Sequence, residues 1–342
     1  MKPPTTETAS TGTAVHRLSV VVPVYRAADT LRLLYERLIG SLEPLSPELE
    51  IIFVEDCGGD ASWDVIAALA ADDRRVRGIR MSRNYGQHNA LLCGIRAARH
   101  EVVVTLDDDL QNPPEEIGRL LAQLDLGFDV VYGTPEREQH GFLRDQASRI
   151  TKMALQSAMG AETARHVSAF RVFRTRIRDA FASYRSPFVS IDVLLTWGTT
   201  RFTHLAVRHD VRQAGQSNYT LRKLIVHALN MMTGFSTLPL QFASLIGFAF
   251  TLFGFGILAY VLGGYVLKGS SVPGFAFLAS IIAIFSGAQL FALGIIGEYL
   301  ARMHFRSMER PVYVVQATTD RADVPEAPVT LNQRRELRAS RT

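Results

Sequence analysis

Three consecutive carboxylates, Asp107, Asp108 and Asp109, stand in the stretch LDDDLQNPPEE (106–116), directly after an apolar run. Side by side they repel one another unless a cation neutralises them, and oxygen-only donors suit a hard ion such as Mg²⁺ or Mn²⁺. On an extended backbone alternate side chains share a face, so Asp107, Asp109 and Gln111 converge on one ion while Asp108 points away. A solvated acidic loop capping the helix that starts near Pro114 would use the same residue types, and the triplet alone does not separate the two readings. Its position bears on the choice. EVVVTL (101–106) is a β-branched run suited to a strand buried on both faces. The carboxylates therefore lie at its carboxyl end, where open α/β sheets bind ligands.

The elements that must position this stretch recur along the first two hundred residues. LSVVVPV (18–24) is a strand, with Pro23 near its end and Tyr25 turning the chain out of the sheet. Asp29 is placed to cap the next helix, whose Leu31, Leu34 and Leu38 fall at helical spacing. EIIFV (50–54) delivers Glu55, Asp56, Cys57, Gly58, Gly59 and Asp60 to the same edge. A helix (62–71), a short strand (76–81) and the loop SRNYGQ (82–87) follow, the loop opening a helix with Ala90, Leu91, Gly94, Ile95 and Ala98 on one side. Strands alternating with helices every 25 to 30 residues or so predict βαβ units and a mainly parallel sheet. Beyond Pro113 and Pro114, Ile117, Leu120, Leu121 and Leu124 form a helical stripe, and DVVYG (129–133) is a further strand. A polar stretch (134–141) leads to a helix (142–159) with Arg144 and Ser148 on one face. Strands are expected at 168–174 and 201–209, and Arg212 precedes a glycine-containing loop, QAGQSNY (213–219).

Of the 342 residues 47% are hydrophobic, and the excess is local. The stretches 240–267 and 272–299 are each long enough to cross a hydrocarbon core of roughly 30 Å. Segment 220–239, ending at Pro239, mixes Arg222, Lys223 and His227 with leucines and methionines and suits a helix lying in the membrane interface. Lys268 to Ser271 make a short turn, so the two spans form a hairpin across 240–300. Basic residues flank the hairpin on both sides and only Lys268 lies between, which puts the flanks and the N-terminal domain in the cytoplasm. RPVYVV (310–315), within a return segment 301–317, is expected to add a strand back onto that domain. Residues 1–17 and 318–342 are polar, and disorder or mobility is expected there. The start of the chain lacks the apolar core of a signal peptide. Cys57 and Cys93 lack metal spacing and read as reduced, packed thiols. The net charge of +4 suits phosphates on a small donor or a lipid. No RNA- or DNA-binding signature is present, so no nucleic-acid partner is expected.

The ordered set VVVPVY (20–25), SRNYGQHNALLCGIRAA (82–98), LDDDLQNPPEE (106–116), SAFRVFR (168–174), AGQSNY (214–219), GEYLARM (297–303) and ERPVYVV (309–315) resembles the family 2 glycosyltransferases of the GT-A fold. Within that family it is most similar to the polyprenyl-phosphate branch, which includes bactoprenol glucosyltransferases, undecaprenyl-phosphate aminoarabinose transferases and dolichyl-phosphate mannose synthases. The resemblance implies a GT-A catalytic domain over 18–219. It implies that Asp107 and Asp109, with Gln111, hold a divalent ion, Mg²⁺ or Mn²⁺, and the diphosphate of a nucleotide sugar. It places Pro23, Tyr25 and Asp56 in the nucleotide pocket, Arg137, Arg144 and Ser148 on the phosphate of a polyprenyl (undecaprenyl) acceptor, and Arg212 on a loop that closes over the diphosphate. Glu55 stands where the family commonly has aspartate, Ala169 where it has glycine and Asn218 where it often has lysine.

The implied reaction is inverting transfer of one sugar at the cytoplasmic face of the inner membrane. A phosphate monoester has its second pKa near 6, so the acceptor needs no protein base to become a nucleophile. A processive polysaccharide synthase shares the sheet and carboxylates but would carry Gln-x-x-Arg-Trp before its spans. Trp63 and Trp197, the two tryptophans, are not in that setting. A non-catalytic scaffold that binds the glycan carrier is the alternative from another class. A homo-oligomer or a multi-span membrane partner is also expected, since Gly247, Gly254 and Gly256 permit close helix packing.

Overall fold

The computed structural model describes residues 16–135, 166–186, 188–210, 237–268 and 274–320. They fall into two compact units. One contains the described residues up to 135, then 166–210 apart from Pro187, and 311–320; the other contains 237–268 and 274–310.

The first unit is built on β1 (Leu18–Val24), α1 (Leu31–Leu42), β2 (Leu49–Glu55), α2 (Ser62–Asp72), β3 (Val76–Met81), α3 (Gln87–Ala97) and β4 (Val102–Thr105). It continues through a 3₁₀ turn (Pro114–Glu116), α4 (Ile117–Asp125), β5 (Val130–Pro135), β6 (Arg171–Arg174), a second 3₁₀ stretch (Thr175–Phe181), α5 (Ile191–Thr196) and β7 (Phe202–Val207). The strands form one mixed sheet in the order β7-β5-β6-β4-β1-β2-β3-β8, where β8 is Val315–Thr318. The ladders β1–β2, β1–β4, β2–β3 and β5–β7 are parallel, whereas β6 runs against β4 and β5, and β8 against β3. The mainly parallel α/β architecture expected from the strand–helix alternation is therefore present.

Both faces of the sheet are covered, which is why its central strands are continuous apolar runs. Val20, Val22 and Val24 of β1 point into one core layer with Leu31, Leu34 and Leu38 of α1, Ile66 of α2 and the α4 stripe Ile117, Leu120 and Leu124. Val21 and, from β2, Ile52 and Val54 point into the other, against Leu91, Leu92 and Ile95 of α3 and Leu194 of α5. The contact of α3 with the sheet depends on a missing side chain. A Cβ at Gly94 would lie 2.3 Å from Val21 Cγ1 and 3.1 Å from Val54 Cγ2.

Two local expectations differ from what forms. Asp29 does not cap α1: Thr30 occupies the N-cap position without a side-chain capping bond. The Thr30 hydroxyl instead donates to the Ala27 carbonyl at 3.1 Å and to the Asp108 carbonyl at 2.8 Å, so this helix start is tied to the acidic loop. The final strand begins at Val315 rather than Arg310. Pro311 has no N–H to donate and Val312 turns into the core, so the ladder starts only beyond them. Residues 318–320, expected to belong to a mobile tail, are bonded back to the sheet through Thr319 and Asp320.

The second unit is a pair of helices, α6 (Leu238–Lys268) and α7 (Phe275–Ser307). Each contains a segment long and apolar enough to cross a membrane, Leu238–Gly264 and Ile284–Ser307. Side chains such as Phe248, Leu258, Val266 and Leu290 are exposed on them. Gly254 lets Phe285 of α7 approach α6, and Phe250 and Phe253 meet the same ring. The interface-helix segment 220–236, the inter-helix turn 269–271, the helix 142–159, residues 1–15 and the tail beyond 320 lie outside the described residues.

Two outcomes follow from this packing. Gly94→Ala forces α3 off β1 and is expected to cost about 1–3 kcal/mol of stability, measured by thermal or urea unfolding of the detergent-solubilised protein. For Asp73, burial raises the carboxyl, but hydrogen bonds from the Arg75 side chain and backbone and from the Tyr35 hydroxyl outweigh it, leaving the pKa at about 2. A depressed carboxyl stabilises the fold above its unfolded value and loses that contribution as pH falls towards 2. Asp73→Asn is therefore expected to destabilise by about 1 kcal/mol at pH 7, after discounting for solvent around Arg75. The gap between variant and wild type should close on acidification below about pH 4.

Candidate active site

Because β4, β1 and β2 are adjacent and parallel, their carboxyl ends open on one edge of the sheet, and the residues that follow them meet there. Pro23 is buried in β1, and Tyr25, 40% exposed, emerges just beyond it. Asp56 follows β2 and is 2% exposed. Its Oδ1 accepts the Tyr85 N–H and its Oδ2 the Gly86 N–H, both at 2.7 Å. Gly86 has φ +92°, a left-handed conformation open to glycine, and it opens α3. Burial holds the Asp56 carboxyl above the usual carboxylate range; the two N–H donors oppose that shift and the neighbouring Glu55 adds to it.

The acidic loop does not run extended. After β4 the chain turns over Asp108 to Leu110, with Leu110 at φ +62° and its side chain 1% exposed. Folding back to bury Leu110 breaks the alternation on which the expectation for Asp108 rested. The Asp108 carboxylate instead accepts the Tyr25 N–H at 3.0 Å, lacing the end of β1 to the loop. Asp109 is largely buried and its Oδ1 accepts the Gln111 N–H at 3.1 Å. Asp107 accepts a hydrogen bond from Gln87 Nε2 at 2.5 Å. Tyr85, Gly86 and Gln87, three residues in a row, thus hold Asp56 with one end and Asp107 with the other.

Among the described residues, no group of three or more His, Cys, Asp or Glu side chains is gathered so as to enclose a metal ion. The donor set still fits a hard cation of the kind that takes one or two carboxylates and completes its shell with substrate phosphates and water. Asp107 and Asp109 offer oxygen ligands alone, at the end of a strand, with helix α3 beginning beside them.

The loop is braced on its far side by charge. The Asp210 N–H donates to the Gln111 carbonyl at 2.9 Å. Arg37 of α1 makes paired bonds to Glu115 at 3.0 and 2.8 Å and reaches Asp210 at 3.3 Å, while Arg208 bonds Asp210 at 3.2 Å. Burial raises the Glu115 carboxyl, but the Arg37 hydrogen bonds and charge outweigh this and hold it below its ordinary value. From beneath, Thr105 at the end of β4 donates to the Ala169 carbonyl at 2.8 Å and accepts from Arg171 at 2.9 Å. Arg171 pairs with buried Asp192, which also receives the Tyr132 hydroxyl. Glu55, longer than the aspartate common in the resembled family, accepts the Gly58 N–H at 2.6 Å and faces Arg80 at 3.2 Å.

Of the residues singled out in the sequence, Pro23, Tyr25, Asp56, Asp107, Asp109 and Gln111 are brought together at this edge. Arg137, Arg144, Ser148, Arg212 and Asn218 lie outside the described residues. Gln87, Arg37 and Asp210 were not singled out, and Asp108 was set aside as pointing away from the shared ion. Gln87 had a readable signal, since it opens a helix after a βα loop; the Arg37 bonds to Glu115 and Asp210 join residues 78 and 173 positions apart and had none.

The chain matches the model of glycosyl transferase family 2 over residues 19–187, the span that carries the sheet edge just described. It is 33% identical over 323 residues to the undecaprenyl-phosphate 4-deoxy-4-formamido-L-arabinose transferase of Pseudomonas fluorescens, covering 93% of this chain and 94% of that protein. The enzyme of the same name from Proteus mirabilis is 34% identical over 310 residues, covering 90% and 95%. Among solved structures, glucosyl-3-phosphoglycerate synthase of M. tuberculosis aligns with a TM-score of 0.46 at 16% identity, over 64% of this chain and 78% of its own. Identity at this level, sustained from the first strand through the apolar helices, settles the family: the chain belongs to glycosyl transferase family 2 and is a glycosyltransferase.

Proposed function

We propose that the protein transfers one sugar from a nucleotide-diphosphate sugar to a polyprenyl phosphate, with undecaprenyl phosphate as the natural carrier, at the cytoplasmic face of the inner membrane. The observation that carries this reading is the joining of Asp56 and Asp107 through the single segment Tyr85–Gln87, in a chain that also bears two exposed apolar helices. Relatives named for undecaprenyl-phosphate sugar transfer support the acceptor class.

In this reading Pro23, Tyr25 and Asp56 take the nucleoside. Asp107 and Asp109, with Gln111, would hold a divalent ion, which would supply positive charge to the leaving diphosphate. Arg212 adds positive charge to the same diphosphate, and Arg137, Arg144 and Ser148 seat the acceptor phosphate. That phosphate is largely dianionic at neutral pH and attacks the anomeric carbon in line, inverting it. The protein's task is to hold two anions together and neutralise the departing one, and fixed dipoles and cations suit that task. Membrane attachment keeps the site within reach of a lipid that does not leave the bilayer. Self-association or packing against a multi-span partner through the small residues Gly247 and Gly256 belongs to the same reading.

The test is product formation by detergent-purified protein given undecaprenyl phosphate, Mg²⁺ or Mn²⁺ and a panel of nucleotide sugars. A lipid-linked monosaccharide from one donor is expected, abolished by a chelator and restored by the metal. Asp109→Ala should lower turnover by a factor on the order of 100 or more; full turnover in that variant would sink the metal assignment. Absence of product and of nucleotide binding with every donor would favour the carrier-binding scaffold instead. Asp108 gives a contrasting outcome because its carboxylate holds the Tyr25 N–H. Asp108→Ala is expected to raise the donor KM about tenfold, the worth of one hydrogen bond to a charged group, with kcat changed far less. Asp108→Asn, whose amide oxygen still accepts that N–H, should stay near wild type in steady-state kinetics.

A further inference from the structure

The segment that follows α7 returns to the sheet-bearing unit, and its partners there are the elements that frame Asp56. Val312 is buried in the core layer beside α3. Tyr313 packs against the core layer that holds Cys93 of α3, and the Arg96 guanidinium lies 5.8 Å from the Tyr313 ring centroid. Burial pushes both the thiol and the phenol up to about 12, so this contact stays neutral at working pH. The Val314 carbonyl accepts the Ser82 N–H at 2.9 Å. Ser82 is the first residue of the loop whose Tyr85 and Gly86 N–H groups hold Asp56. After β8, Thr319 and Gly78 exchange hydrogen bonds of 3.0 and 2.9 Å, and Asp320 accepts from Arg77 at 3.1 Å and Arg99 at 3.0 Å.

We infer that the segment 311–320 is a positioning element of the donor site, with Tyr313 its principal positioning residue. It sets the conformation of Ser82–Gly86, hence the aim of Asp56 and, through Gln87, of Asp107. The inference rests on the nucleotide-pocket reading of Asp56 given above. Ser82, Arg83 and Asn84 are exposed, and the loop's internal contacts, Ser82 with the Tyr85 hydroxyl at 3.2 Å and Arg83 over the Tyr85 ring, leave its entry from β3 to be fixed by the Val314 carbonyl. It is held at its far end by the start of α3 and at its near end by Val314. Tyr313 anchors the segment that holds the near end, because its ring packs on the second half of α3, with Arg96 beside it, and its neighbour Val314 bonds Ser82. Without that brace the left-handed Gly86 relaxes, and the two N–H groups no longer converge on one carboxylate.

The experiment uses the full-length protein in detergent, comparing Tyr313→Ala and Tyr313→Phe with wild type. Three quantities are read: amide hydrogen exchange over residues 82–87, affinity for UDP and for GDP with Mn²⁺, and the KM and kcat for the donor. In Tyr313→Ala, exchange over 82–87 should quicken about tenfold while β1 and β4 keep wild-type protection. Nucleotide affinity should fall and donor KM rise by about the same factor, with kcat held within about threefold. Tyr313→Phe keeps the ring on Arg96 and should restore wild-type exchange and affinity. Unchanged exchange over 82–87 in Tyr313→Ala overturns the inference, and so does exchange that rises equally throughout the sheet, which would make Tyr313 a fold-holding residue only. If wild type binds neither nucleotide, the pocket reading fails on its own, and the exchange measurement still decides whether the loop is braced.

Discussion

Two backbone N–H groups on consecutive residues clasp one buried carboxylate, and the carboxyl edge of the sheet is organised by that clasp. Asp56 is 2% exposed, and its two oxygens are each 2.7 Å from a donor. The arrangement requires Gly86 in a left-handed conformation, α3 to begin directly after it, and Gly94 to let that helix lie close on β1 and β2. Burial raises the Asp56 carboxyl, so the folded chain binds that proton more tightly than the unfolded chain does. Stability from this group is thus present at low pH and lost as pH rises through its folded pKa. The fold accepts this cost at neutral pH and offsets it with core packing elsewhere, a pattern expected where a polar group is buried for binding.

The second constraint is repulsion among the three aspartates, which the chain manages by giving each carboxylate a different partner. Asp107 faces a side-chain amide, Asp108 the N–H that follows β1, and Asp109 the N–H of Gln111 within its own turn. Each bond fixes an orientation while the charges remain. Around this loop, Arg37, Glu115, Arg208 and Asp210 form a mixed-charge lattice that joins α1, the turn after the acidic loop and the end of β7. Such a partly shielded network restrains geometry more reliably than it adds stability.

Much of this was legible in the sequence because it depends on period and position. Unbroken apolar runs such as LSVVVPV and EIIFV marked buried parallel strands, and the residues following them fell on one edge as the topology requires. What the sequence did not show involved contacts between residues remote in the chain. The sequence reading sets Asp108 apart from the ion-facing pair, but the bond of its carboxylate to the Tyr25 N–H, and the turn that buries Leu110, depend on tertiary packing. Asp29 looked like a cap by residue type, yet Thr30 took that position and turned its hydroxyl to the Asp108 carbonyl. RPVYVV reads as one β-prone run, whereas Pro311 has no N–H for a ladder and Val312 is taken into the core, so β8 starts at Val315. Gln87 stood in a quoted motif, but its bond to Asp107 crosses from one βα loop to another.

The pairing of β8 with β3 also dictates an order of events at the ribosome. Gly78 and Thr319, which exchange hydrogen bonds across that pairing, are 241 positions apart. At ordinary rates of synthesis their emergence is separated by roughly 10 to 50 s. During that interval β3 is an uncovered edge, the Ser82 N–H lacks its acceptor, and both apolar helices emerge. The catalytic sheet is therefore sealed last, by residues translated after the segments suited to enter the bilayer. A nascent or prematurely terminated chain therefore presents β3 as an open strand edge, the kind of edge that invites pairing with other chains.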